Sequence, residues 1–129
     1  MIQKHLQEAS DLKRELVANA GFAASLSSAI DTLHECLKGG HKVLIAGNGG
    51  SAADAQHFAS EFVGRYKKER RAYPAMALTT DTSAITAWSN DYSFDTLFAR
   101  KLEAFGQPGD VFVGITTSGN SKNIIAAFK

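Results

Sequence analysis

The sequence predicts an α/β domain built on a parallel sheet. Two observations carry that prediction. Short apolar runs of strand length stand at "KVLIAG" (Lys42–Gly47), "YPAMALT" (Tyr73–Thr79) and "VFVGITTSG" (Val111–Gly119). Segments with the apolar spacing of helices alternate with them. Strands alternating with helices make a parallel sheet joined by crossovers, each of them right-handed.

Each element has its own signal. Leu6, Ala9, Leu12 and Leu16 recur at helical spacing from Lys4 to Val17. Phe22, Leu26, Ile30, Leu33 and Leu37 repeat that pattern until "KGG" (Lys38–Gly40) stops it. These two helices could cover a sheet face or meet another subunit. Lys42–Gly47 then reads as a buried strand. Ser51 to about Tyr66 is a predicted helix, with Ser51 as N-cap and Asp54 three residues on, an arrangement like a capping box. Its buried stripe is Ala55, Phe58, Ala59, Phe62 and Tyr66. "YKKERR" (Tyr66–Arg71) is a charged exit loop. Tyr73–Thr79 is the second strand, with Pro74 allowed at its start. A short helix over Asp81–Asp91 should end near Ser89, and another covers Phe94–Gly106. "QPGD" turns the chain into the third strand, and "NSKNIIAAFK" begins a helix without a C-terminal stop signal. Three strands make a small sheet, so the chain is expected to be the N-terminal two-thirds of a larger domain. It reads as one domain over 1–129, with a helical extension over about 1–39.

Composition narrows the function classes. A chain of 129 residues can bury a real core. A formal net charge of +1 argues against non-specific nucleic-acid binding. The single cysteine, Cys36, excludes an internal disulfide or a cysteine zinc ribbon, and its neighbours Leu33 and Leu37 mark it as a packed thiol. The polar start "MIQKHLQEASDLKREL" is unlike a signal peptide. No apolar run approaches the ~18 residues of a membrane span. A cytoplasmic protein without membrane or nucleic-acid partners is expected.

Two strand ends resemble each other. "LIAGNGGS" (Leu44–Ser51) and "GITTSGNS" (Gly114–Ser121) each run from a strand through small residues into a helix. Ligands of open α/β sheets sit at the carboxyl ends of the strands. Small residues let backbone N–H groups approach an anion, and a helix N-terminus adds a positive dipole end. "TTSGNS" therefore reads as a phosphate cradle without a lysine. The first loop has neither dinucleotide-fingerprint spacing nor the lysine of a P-loop. Beyond it, His57 and Glu61 share a helix face, with Asp54 one turn before and Arg65 one turn after. One reading is a solvated stripe with a Glu61–Arg65 ion pair. The other is a pair of zinc ligands, with Glu suited to general-base work beside a sugar. Two ligands are too few for a catalytic zinc site. His5, His34 and His41 lie too early in the chain to supply the rest. Asn90 and Asp91 either bond sugar hydroxyls or serve as a C-cap and a turn residue.

Together "GNGGSAADAQHFASEFVGRY", "ALTTDTSAITAWSND" and "GDVFVGITTSGNSKNI" resemble the phosphoheptose isomerase family of the sugar isomerase (SIS) domain group, across essentially the whole chain. The resemblance implies a three-layer, doubly wound, flavodoxin-like SIS domain, incomplete here and preceded by two helices. It implies a cytoplasmic homotetramer with active sites between subunits. It also implies conversion of sedoheptulose 7-phosphate to glycero-manno-heptose 7-phosphate through an enediol(ate), the first step toward the heptose of lipopolysaccharide. By position, His57 and Glu61 match zinc ligands, and Glu61 also matches a catalytic acid/base. Asn48, Gly49, Gly50, Ser51 and Glu61 match substrate contacts, Asn90 and Asp91 a second contact pair, and Thr116, Thr117, Ser118 and Ser121 the phosphate loop. In the family a Gln and a His on a late helix complete the metal site, and this chain ends before that helix. The rival readings are a non-catalytic SIS module that binds a replication initiator and one that senses sugar phosphates. The first typically lacks a Glu at the position of Glu61, which favours the enzyme.

Overall fold

The computed structural model describes all residues, Met1–Lys129. The chain divides into two compact units, Met1–His34 and Glu35–Lys129.

The first unit is helical. Helix α1 spans Ile2–Ala18, and α2 starts at Ala20 and runs to Lys38 in the second unit. Asn19 separates them, because its side-chain oxygen accepts from the Phe22 amide and caps the new helix. The predicted spacing does form helices here, but no residue of α1 is buried. Leu6, Leu12, Phe22, Leu26 and Ile30 all remain exposed.

The second unit is an α/β layer structure. Strand β1 (Val43–Gly47) lies at the centre of a parallel sheet ordered β2-β1-β3, with β2 at Ala75–Ala77 and β3 at Val111–Ile115. Every residue of β1 is buried, as expected for a strand covered on both faces. Leu44 and Ala46 face a core made with Leu78, Leu97, Phe98 and Ile124. Val43 and Ile45 alternate to the other face, the side taken by α3 (Gly50–Val63) through its buried Ala55 and Ala59. Helices α4 (Thr82–Asp91), α5 (Leu97–Phe105) and α6 (Lys122–Ala126) build the Leu44 side, with a single 3₁₀ turn at Phe94–Thr96 ahead of α5. This is the doubly wound arrangement. The chain steps from β1 outward to β2, then crosses back past β1 to β3. Right-handed crossovers in opposite directions put their helices on opposite faces. The direction reverses between β1 and β3, which makes that point the natural ligand crevice.

Several boundaries differ from the sequence reading. The second strand is only three residues long, although Val43 N–Pro74 O and Leu78 N–Ile45 O bonds carry the ladder beyond it. Helix α3 starts one residue before Ser51, and its N-cap is Gly49, with no side-chain cap. It ends at Val63 rather than near Tyr66, and Tyr66 is exposed. The cause is Arg70, whose guanidinium takes the carbonyls of Glu61, Phe62 and Gly64 and closes the helix. Helix α4 runs past Ser89 to Asp91, held by a Tyr92 N–Trp88 O bond and stacked Trp88 and Tyr92 rings. No helix is long and apolar enough to cross a membrane.

Candidate active site

The site is built from two turns at the carboxyl ends of β1 and β3. Gly47 closes β1, and a Cβ there would lie 2.3 Å from the Ser51 carbonyl oxygen. No other residue fits so tight a reversal. Gly49 follows at φ +56°, the left-handed region that favours glycine. Together they swing the chain from strand to helix within a few residues. The turn is stitched by Ser51 N–Asn48 O and Ala52 N–Gly49 O bonds.

The second turn gathers hydroxyls. Thr116 Oγ1 lies 3.0 Å from Ser121 Oγ and 3.4 Å from Ser118 Oγ. Ser118 Oγ also accepts from the Asn120 amide, and Gly119 bends the loop at φ +69°. Thr117 stands exposed beside them. Three clustered hydroxyls can each rotate a proton toward an anion's oxygens.

The turns are joined by one side-chain pair. Asn48 Nδ2 donates to Asn123 Oδ1, and Asn123 Nδ2 donates to Asn48 Oδ1, both at 2.9 Å. Asn123 is 2% exposed. It was not among the residues singled out in the sequence. Its one signal is an amide at the start of an otherwise apolar "NIIA" turn.

Helix α3 carries the reactive pair away from the first turn. His57 Nε2 and Glu61 Oε1 lie 3.2 Å apart, with side chains 77% and 30% exposed. The expected Glu61–Arg65 pair does not form. The helix stops before Arg65, which pairs instead with Glu69 at 3.1 Å. An open pocket of about 620 Å³ lies along this face. His57, Glu61, Phe58, Phe62 and Arg70 line it, and so does Ile115, the last residue of β3 before the hydroxyl loop. One concavity thus reaches from the His–Glu pair to the strand end that carries Thr116. Asn48–Ser51 of the first turn and Thr116–Ser121 of the second border this region without lining the pocket, and Asn90 and Asp91 do not line it either. Asn90 and Asp91 sit at the last turn of α4, exposed, with Asn90 Nδ2 bonded to Asp91 Oδ1 at 2.8 Å.

The pair suits a metal in chemistry and spacing. An imidazole nitrogen and a carboxylate oxygen are both zinc donors, and two ligands of one tetrahedral zinc sit roughly 3.3–3.5 Å apart for bonds of about 2.0–2.2 Å. No group of three His, Cys, Asp or Glu side chains is placed to hold a metal. His57 and Glu61 thus offer two donors, without a third beside them.

A doubly wound sheet with paired small-residue turns at its switch point is the architecture of an SIS domain. The family model for that domain matches residues 4–129, and the chain belongs to the SIS-domain family. Within the family it is similar to phosphoheptose isomerases. It is 52% identical to the phosphoheptose isomerase of Aquifex aeolicus over 99% of this chain and 66% of that protein. It is also 52% identical to that of Campylobacter jejuni, over all of this chain and 68% of the relative. The solved phosphoheptose isomerase of Neisseria gonorrhoeae superposes with a TM-score of 0.89 at 45% identity, covering 98% of this chain and 65% of that one. The chain spans about two-thirds of the length of the proteins it matches.

Proposed function

We propose that this chain carries most of the active site of a sugar-phosphate aldose–ketose isomerase. Its substrate is sedoheptulose 7-phosphate and its product glycero-manno-heptose 7-phosphate, a precursor of lipopolysaccharide heptose. The observation that carries this reading is the single pocket reaching from His57 and Glu61 to the end of β3, where the hydroxyl loop begins. The similarity to phosphoheptose isomerases supports the choice of substrate.

Isomerisation moves a proton between C1 and C2 through an enediol(ate). Glu61 acts at one side as acid/base, since its carboxylate faces the pocket and keeps access to solvent. Thr116, Thr117, Ser118 and Ser121 hold the phosphate and so fix the reacting carbons. Asn48, Gly49, Gly50 and Ser51 contact the sugar from the first turn, and Asn90 and Asp91 supply a second pair of contacts. His57 and Glu61 would hold one zinc ion, its remaining ligands coming from outside this chain. When bound, zinc polarises or orients the sugar oxygens. The protein works in the cytoplasm as a homotetramer.

The test uses the protein encoded by the complete gene. Glu61→Gln should cut kcat by at least about a thousandfold, at the strong end of general acid–base effects, while sedoheptulose 7-phosphate still binds in a calorimeter. Unchanged turnover would remove Glu61 from the chemistry.

A further inference from the structure

We propose that Asn123 is a positioning residue that locks the Asn48–Ser51 turn to the Thr116–Ser121 loop, so that both halves of the site move as one body. The inference rests on the isomerase reading for the tasks of the two turns and for its kinetic assay.

The geometry is specific. Two carboxamides exchange two hydrogen bonds across 75 residues of sequence, at the point where the winding direction reverses. Each amide donates one hydrogen bond to the other and accepts one from it. Asn123 is buried, and its neighbour Ile124 belongs to the apolar core. A buried polar pair is nearly neutral against apolar groups of the same shape, yet costly when only one partner is removed. What such a pair adds is register. Its bonds form in one arrangement, and sliding either turn breaks both.

That register matters because the two turns have different tasks. One contacts the sugar and starts the helix bearing His57 and Glu61. The other holds the phosphate. The distance between them sets where C1 and C2 lie relative to Glu61. A shift of about 1 Å in such a geometry can cost on the order of a hundredfold in rate. Asn123 does not line the pocket, and its side chain bonds to Asn48, so it acts through Asn48.

Asn123→Asp is the informative variant. It keeps the shape but cannot donate to Asn48 Oδ1 as a carboxylate. The first readout is amide hydrogen exchange of the complete protein at pH 7.5 or so, more than about three units above the ordinary aspartate value. Faster exchange is expected in both turns together, with β1 and β3 still protected. Exchange unchanged in both, or raised in one turn alone, would overturn the coupling. The second readout is steady-state kinetics with sedoheptulose 7-phosphate. A fall in kcat of about ten- to a hundredfold is expected, with KM moving less than about threefold, because the phosphate loop keeps its own hydroxyl bonds. Equal kcat in variant and parent, or a loss matched by the fraction unfolded, would contradict the positioning role. If the parent protein itself fails to turn over this substrate, the isomerase reading falls and the exchange result decides the coupling by itself.

Discussion

Single residues set the local geometry, and two of them make sharp predictions. Gly47 leaves no room for a methyl group against the Ser51 backbone. Gly47→Ala should therefore cost at least about 2 kcal/mol, in the range of overpacking with backbone displacement, read as a lower urea midpoint. A midpoint equal to the parent's would mean that the turn is less tight than described. Asp110, just ahead of β3, accepts from the Lys42 backbone amide at 2.9 Å, from Lys42 Nζ at 2.5 Å and from the Gln107 amide at 2.8 Å. Burial pushes its carboxyl up, but these bonds and the Lys42 charge outweigh that and hold it below the ordinary carboxylate range. Its folded pKa is lower than its unfolded one. The stabilisation is complete above the unfolded value, near pH 4, and is lost as pH falls through the folded value. Asp110→Asn should lose about 1–3 kcal/mol at neutral pH, and the gap to the parent should close as acid protonates Asp110. A gap independent of pH would assign the loss to packing instead.

At the scale of elements, what was legible followed periodicity and what was missed followed tertiary contact. The strand–helix alternation read correctly because apolar runs and helical spacing are local. The ends of α3 did not. Ser51 looked like an N-cap, but the close approach at Gly47 and the left-handed Gly49 begin the helix at Gly50. Tyr66 looked like core, but Arg70 reaches back from the charged exit loop and ends the helix at Val63. No local signal shows which of four nearby cations will do this. Arg70 also lies over the Tyr73 ring at 4.7 Å. Arg70→Ala should fray the last turn of α3, where Glu61 sits, at a cost of about 1 kcal/mol after allowance for its partial exposure. Faster amide exchange confined to the end of α3 is the expected record. Full protection there would show that the turn holds without Arg70. The pairing of Asn48 with Asn123 was invisible for the same reason, since it depends on the sheet order.

At the scale of the molecule, the second unit presents a crevice between β1 and β3 and a pocket along α3. The sequence motifs named the groups around both, and the fold explains how two distant turns come together. Of the matched positions only His57 and Glu61 line the pocket, while the two turns and the Asn90–Asp91 pair stand outside its lining. The exposed apolar positions of α1 and α2 leave helical surface uncovered in a single chain. The proposed function is isomerisation of a heptose phosphate at a zinc-dependent site on this scaffold. The most direct measurement is sedoheptulose 7-phosphate isomerisation by the protein from the complete gene, with zinc determined on the same sample before and after chelation. The expected result is turnover that is lost with the metal and returns when zinc is restored. Tight binding of the sugar phosphate without turnover, in a sample replete with zinc, would contradict it.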